Sequence, residues 1–515
     1  MRLVSLLLLF FCTALSAQKI KTGPIYEADE IKHIPQIMLE DEDKIYLVEP
    51  DIQNFIVEAF DKNTLKRIYS KKIEGIFPQR DVVTKATIEK VLYIDGSIMV
   101  VLSGASVQGG STELLACKID PKTGNKIETK QLYSANIEDV PKVGVSGRMW
   151  GRLGFYKIYI SKNKKRFLAH YKRYNFDLAK FYEQLILFDS DMNVVLRKEL
   201  DRESTNTMIP DEGVEVDDEG SIYYLQNNNI VFLDYFQNYD EWKEPLPKDI
   251  FSINAEPSKV TATFNNQNHL IITAAYVTKD IEDTEEFKLK RDTKEGDTQV
   301  EGMIFIEVDP FEKEILKVKV DMFDKSFLNE FKTKKHIKKG YEAEFENDLT
   351  LFRYHFVGNK TILLGHKYEK LEGVGVYYEH IVIFLFDENG ELTWVHRIPK
   401  RQASTVSLVN EVCGYLSFIA NDKVHVFFQD AKGNFKGEKR NTLNLGTLMI
   451  EKEALATVYT IDIDSGEMDY KAYADWNLEK DLALDPYQGT QKEEGAPIFI
   501  FGDDDDKYCL YRLDF

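Results

Sequence analysis

Arginine recurs in three stretches of this sequence beside residues that stiffen the backbone or offer a flat face. They are Phe77-Pro78-Gln79-Arg80, Gly147-Arg148-Met149-Trp150-Gly151-Arg152 and Ile398-Pro399-Lys400-Arg401-Gln402. A guanidinium presents a planar fork of donors that matches the paired oxygens of carboxylate or phosphate. The indole of Trp150 adds a surface of the kind cations and sugar rings use. Brought together, Arg80, Arg148, Trp150, Arg152 and Arg401 would make a basic spot for an anionic or glycan ligand on a chain of net charge −20. Salt bridging to the 86 Asp and Glu residues competes with that role, and takes precedence on residue type alone.

Other constellations point less clearly to chemistry. His355, His366, His380 and His396, with Glu379, offer imidazole and carboxylate ligands. The 13 residues between His366 and His380 form a loose loop rather than a ligand spacing. A structural role is expected for these histidines, and no metal or cofactor is assigned. Asp503-Asp504-Asp505-Asp506 lacks the central Gly and closing Glu of a calcium loop and reads as a hairpin tip. The nucleophile elbow Gly-x-Ser-x-Gly, the zinc motif His-Glu-x-x-His, the phosphate loop and the dinucleotide Gly-x-Gly-x-x-Gly do not occur.

The elements that would position these residues come from a repeat. A turn of the form apolar-Asp-x-x-Gly/Asn recurs at Asp61, Asp120, Asp189, Asp309, Asp387 and Asp464. The spacings are 59, 69, 120, 78 and 77 residues, so a weaker unit sits inside the span of 120. Asp accepts hydrogen bonds from backbone amides just ahead of it, and Gly or Asn takes the left-handed conformation a tight hairpin needs. A second series of short turns, from Asp41-Glu42-Asp43-Lys44 to Asn421-Asp422-Lys423, precedes the first. The flanks are β-branched and aromatic, as in Val382-Ile383-Phe384-Leu385-Phe386. Each unit reads as a four-stranded meander, and a ring of such units is a single all-β propeller. Blades begin near residues 35, 89, 154, 213, 259, 350 and 414. Seven or eight blades fit. Eight is favoured, because strands near 497–501 and 508–515 would otherwise be orphans, whereas with residues 18–34 they complete a composite last blade. A short helical insertion is expected near 325–340, where Phe327, Leu328 and Phe331 share a side and Gly340 follows a lysine run.

In a four-stranded meander the first and third turns share one face of the disc. The middle loop and the blade-to-blade link share the other. Both short-turn series belong to the first face. The long segments 103–112, 277–300 and 429–455 are middle loops, and 133–153, 244–258, 321–349, 398–413 and 474–496 are links. Binding residues tend to sit on loops held by a rigid scaffold, so a site is expected on the loop-rich face near the channel mouth. The arginine stretches lie in links, just before innermost strands.

Residues 1–17 have a positive start, an apolar run from Leu3 to Phe11 and a small-residue end at Ala17, the layout of a signal peptide. The expectation is a secreted or periplasmic chain, with the propeller occupying 18–515. No later run is long and apolar enough to span a bilayer. The acidic balance disfavours nucleic acid as a partner, and a monomer is expected. Cys117, Cys413 and Cys509 read as buried apolar residues, with one disulfide open to them.

The leader ending at Ala17-Gln18, the abundance of Tyr, Phe, Asn and Lys, and the Asp-Gly hairpins resemble exported β-propeller proteins of Bacteroidota. The resemblance is architectural and carries over no functional residues; it implies a place at the cell envelope or with carbohydrate. Two functions fit. The first is a non-catalytic binding or scaffold propeller that engages a ligand or protein on its loop-rich face. The second is a glycan- or peptide-directed hydrolase or lyase at the channel mouth, so enzyme activity stays open.

Overall fold

The computed structural model describes residues 19–27, 37–51, 54–77, 87–106, 111–136, 155–175, 180–200, 213–226, 229–246, 260–278, 299–329, 349–371, 375–404, 414–431, 443–444, 454–473, 483–491, 493–504 and 507–514. The chain forms a propeller of eight blades. Blades 1 to 7 span 37–73, 87–136, 155–200, 214–245, 260–322, 349–398 and 416–473. Every start expected from the turn series lies within two residues of the observed one.

Blade 8 is composite. Its inner three strands are Ala483–Thr490, Ile498–Asp504 and Lys507–Asp514, and Lys19–Thr22 pairs antiparallel with the last of them as the outer strand. Tyr26–Glu27 pairs further along the same strand. The segment 474–496, read from sequence as a link, therefore contains the innermost strand of this blade.

Strand composition follows from position in the blade. The second strand of blade 1, Lys44–Asp51, is apolar at consecutive residues because both of its faces are covered. Side chains alternate across a strand. Accordingly Tyr46 and Val48 pack toward blade 2, while Ile45 and Leu47 pack toward blade 8. The outer strand Arg67–Ile73 is mostly exposed and mostly polar. The described core falls into eight clusters, and each joins two neighbouring blades. No blade owns a core of its own; the ring closes because each seam needs both its walls.

Two departures from regular blades matter. Gln402–Ser404 pairs with the third strand of blade 6, Gly375–Phe386, and with Leu443–Asn444, so two insertions extend this sheet on the loop-rich side. The expected insertion helix is observed over Lys325–Asn329, and 330–348 lie outside the described residues. Asp324 caps it, accepting from the Phe327 amide at 2.8 Å, while Phe327 and Phe323 bury against Phe384. Cys117 and Cys509 are buried and form no disulfide, in the second and last blades; Cys413 is outside the described residues.

Candidate functional site

The short turns form one face of the disc, and their carboxylates hold backbone amides. Asp61 accepts from the amides of Asn63 at 3.1 Å and Thr64 at 2.7 Å. In the seventh blade the carboxylate doing this is Asp462, which accepts from Ser465 at 2.9 Å, rather than Asp464 as the sequence spacing suggested. The hydroxyls of Thr64 and Thr123 hold Asp61 and Asp120 below the usual carboxylate range, with backbone amides adding to them, and the Ser465 amide does the same for Asp462. The weak unit inside the 120-residue gap is blade 4. Its turn starts at Asp234, which accepts from the Phe236 amide at 2.9 Å. It has no glycine; Asn238 and Tyr239 take the left-handed backbone, at φ 55° and 62°.

That irregular turn carries Phe236, which is 71% exposed, and the next blade's turn carries Phe311, which is 81% exposed. Between them opens a cleft of about 680 Å3 at the seam of blades 4 and 5, on the short-turn face. Tyr223, Phe232 and Phe264 form its aromatic floor, with Tyr223 edge-on to both others at 4.9 and 5.3 Å. The walls are polar but already engaged. Asp217 accepts from the amides of Glu219, Gly220 and Ser221 and from the Tyr223 hydroxyl at 2.7 Å. Burial raises the Asp217 carboxyl despite those bonds. Lys313 pairs with Asp234 at 3.0 Å. His269 bonds Glu307 at 2.7 Å through Nδ1. Burial opposes ionisation of Glu307, but Lys317 and His269 outweigh it and hold this carboxyl below its ordinary value.

A second cleft of about 240 Å3 continues at the seam of blades 5 and 6. The two share Gln267, whose amide donates to Asn359 across the seam at 3.3 Å. The second cleft is rich in planar amides, among them Asn265, Asn266, Asn359 and Asn389. Together the clefts form a groove over three blades.

The channel carries a different set. Lys90, Lys157 and Glu215 sit on the innermost strands Thr87–Ile94, Phe155–Ile160 and Val214–Val216 of blades 2, 3 and 4. Burial pushes the Glu215 carboxyl up to about 8. It pushes Glu89, hydrogen-bonded by the Ser103 hydroxyl, up to about 7. Burial lowers the Lys90 ammonium, and the charge of Lys157 lowers it further.

Of the arginine set, Arg80, Arg148, Trp150 and Arg152 lie outside the described residues. Arg401 is exposed, in the link that leaves blade 6. The loop-rich face, where a site was expected, falls largely on residues outside the description. The histidines of blade 6 are placed apart in role. His355 Nε2 bonds the Ser417 hydroxyl at 2.8 Å across the seam, and His380 Nε2 meets an Arg397 nitrogen at 2.7 Å. Burial lowers His355 and His366 to about 3, with Arg353 and Lys400 respectively adding to it. A cation beside each imidazole disfavours a second cation there.

Sequence reasoning missed both the groove and the channel lysines. Phe236 was hidden by the absence of glycine from its turn. Phe311 was visible at a hairpin tip, where a large apolar side chain has no neighbour to bury it. That mismatch was the available signal.

No family model matches the chain, and no curated protein is similar to it. Among solved structures, the Dos1 propeller is 7% identical with a TM-score of 0.40, covering 96% of this chain and 95% of that one. The β-propeller domain of the Trilobed protease from Pyrococcus furiosus is 11% identical with a TM-score of 0.34, covering 83% and 93%. A europium-containing methanol dehydrogenase is 12% identical with a TM-score of 0.34, covering 77% and 73%. These likenesses concern the fold only and carry no function to this chain.

Proposed function

We propose that this chain is an exported, non-catalytic glycan-binding propeller that takes an oligosaccharide into the groove spanning blades 4, 5 and 6. Export rests on the leader at residues 1–17. The observation that carries the ligand class is the pair of exposed rings, Phe236 and Phe311, flanking a groove walled by amides and carboxylates. A sugar ring offers apolar C–H faces that stack on an aromatic ring. Its vicinal hydroxyls match the paired donor and acceptor of a planar amide. Concave sites with a few convergent polar groups on an apolar floor are the usual form of a small-molecule site. The carboxylates spend their lone pairs on turn amides, which suits a rigid recognition surface and leaves them poor proton carriers.

The test is calorimetric titration of neutral and acidic oligosaccharides into the mature chain and into a Phe236→Ala/Phe311→Ala variant. Binding that falls at least about tenfold in the variant, with Tm unchanged, supports the reading, since each exposed ring contributes contact area without core packing. Absence of binding across the panel, or equal binding by the variant, overturns it.

The raised carboxyls of Glu89 and Glu215 favour a second reading, a hydrolase or lyase with its proton donor in the channel. Cleavage of a bound glycan, lost in Glu89→Gln, would move the assignment there; recovery of intact glycan removes it.

A further inference from the structure

We propose that the groove over blades 4, 5 and 6 selects oligosaccharides built from amino sugars, takes their ammonium groups beside its exposed rings, and turns acidic glycans away; this rests on the groove reading and adds the charge of the ligand. The lining is unbalanced, with eight carboxylates against three lysines and one histidine. Two of the lysines are already matched. Lys313 pairs with Asp234 at 3.0 Å, and Lys317 pairs with Glu307. Asp217 is given over to its turn amides and to Tyr223. That leaves Asp218, Glu219, Asp309, Asp387 and Glu388 against Lys162 and His269.

These five carboxylates are spread along the groove, two on blade 4, one on blade 5 and two on blade 6. Charge thus recurs from blade to blade, as amines recur from sugar to sugar along an oligomer. Three of the five are fixed by the backbone. Asp218 accepts from the Asn163 amide at 2.6 Å, Asp309 from the Phe311 amide at 2.9 Å and Asp387 from the Asn389 amide at 2.8 Å. An amide locks a carboxylate in place but carries no net charge, so it does not cancel the anion. Burial opposes ionisation of Asp387, yet the amides of Glu391 and Asn389 outweigh it and hold this carboxyl below its ordinary value.

The rings and the anions come from the same turns. Phe236 and Phe311 each donate their own amide, at 2.9 Å, to the aspartate two residues before them, Asp234 and Asp309. A cation over the face of such a ring is drawn by the ring quadrupole and by the anion beside it. A cleft lined by one sign of charge concentrates that field. A neutral sugar stacks without using it, and a uronic acid is repelled by it, so the lining discriminates by attraction and by repulsion together.

Titration calorimetry on the full mature chain compares tetraglucosamine, its N-acetylated counterpart, tetragalacturonic acid and tetralysine. Low ionic strength and mildly acid pH keep the sugar amines protonated. Tetraglucosamine is expected to bind at least about tenfold more tightly than the N-acetylated tetramer, with tetragalacturonic acid the weakest of the three sugars. Raising the salt should narrow that gap, because exposed charges are screened. Glu219 and Glu388 are exposed, and Glu219→Gln/Glu388→Gln removes two charges with little change of shape. The preference for the amine should fall at least about threefold in that variant. Glu74→Gln/Glu128→Gln removes the same charge from exposed positions at the outer strands of blades 1 and 2, across the disc. The preference should there equal that of the wild type, which separates the groove from the overall charge of −20. Equal affinity for the amine and its N-acetylated form overturns the proposal. So does a preference unmoved by the groove variant, an equal fall in the distant variant, or tighter binding of tetralysine than of tetraglucosamine. Should the groove variant not fold, Glu388→Gln alone decides. Binding of the N-acetylated tetramer that depends on Phe236 and Phe311 keeps the groove reading even where the charge order fails, so the two failures are told apart.

Discussion

The hydroxyl of Tyr508 donates to Glu58 at 2.6 Å across the seam where the last blade meets the first. Arg67 joins them, donating to the Tyr508 oxygen at 2.8 Å and to the other Glu58 oxygen at 2.9 Å, while its guanidinium lies 4.6 Å from the Tyr26 ring. Glu58 is 3% exposed and Tyr508 is 6% exposed. The last two strands of the first blade are thus tied to the last strand of the chain, 441 residues on, at the seam that closes the ring. Burial and Glu58 raise the Tyr508 phenol, so it remains a donor at any physiological pH. Tyr508→Phe keeps the ring and deletes the donor, leaving one Glu58 oxygen without it. The expected loss is about 1–3 kcal/mol. Chemical denaturation measures it, and an unchanged midpoint would show that this seam closes on apolar contact alone.

The turn at Asp217 is a second place where one carboxylate does several jobs. It accepts three amides and the Tyr223 hydroxyl, and it forms part of the groove wall. Asp217→Ala removes all four acceptor contacts and frees the Tyr223 ring of the groove floor. A stability loss of about 2–4 kcal/mol is expected, together with weaker oligosaccharide binding. Asp217→Asn keeps one acceptor oxygen and should fall between. Equal stability of the alanine variant would show that solvent replaces the carboxylate freely.

How far the sequence carried can be judged at particular residues. The blade count was legible because Asp-based turns and strands buried on both faces are local signatures, and a seam needs only that every blade repeat them. The choice between Asp462 and Asp464 was not legible, since each follows an isoleucine just ahead of Gly466, and it is the amide and hydroxyl of Ser465, both donating to Asp462, that distinguish them. The turn at Asp234 escaped notice because left-handed Asn238 and Tyr239 do the work that glycine does elsewhere. Lys90 was opaque for a different reason. A lysine on an innermost strand looks like any surface lysine until the ring curls that strand around a channel.

Acid should destabilise the fold through histidines kept neutral inside it. Burial lowers His355 and His366 to about 3 and His425 to about 4, against an ordinary 6.5. Below pH 6.5 the unfolded chain takes up protons that the folded chain refuses. Stability is therefore full above that pH and declines as pH falls toward 3 to 4, by up to about 1.4 kcal/mol per pH unit for each histidine. Melting temperature followed from pH 7.5 to 5 should drop, and His366→Gln should flatten the slope. A profile equally steep in that variant would assign the acid loss to carboxylates such as Glu307 instead.

Glu215 acts in the opposite direction. Its folded value of about 8 stands above the ordinary 4.5, chiefly because burial disfavours its charged form. Below pH 4.5 both states hold the proton and the group is neutral toward stability. From there to pH 8 the unfolded chain has released the proton and the folded chain has not. Each unit of pH then costs up to about 1.4 kcal/mol, lessened by water in the channel. Above pH 8 the folded chain ionises as well and the loss levels off. Glu215→Gln supplies a neutral side chain of nearly the same shape. Its Tm should match the wild type near pH 5 and exceed it progressively toward pH 8. The gain arises from a proton the variant never has to keep, so it should also survive high salt, which screens Lys90 and Lys157 but leaves desolvation untouched. A constant Tm difference across this range would mean that Glu215 ionises in the folded channel as easily as in water.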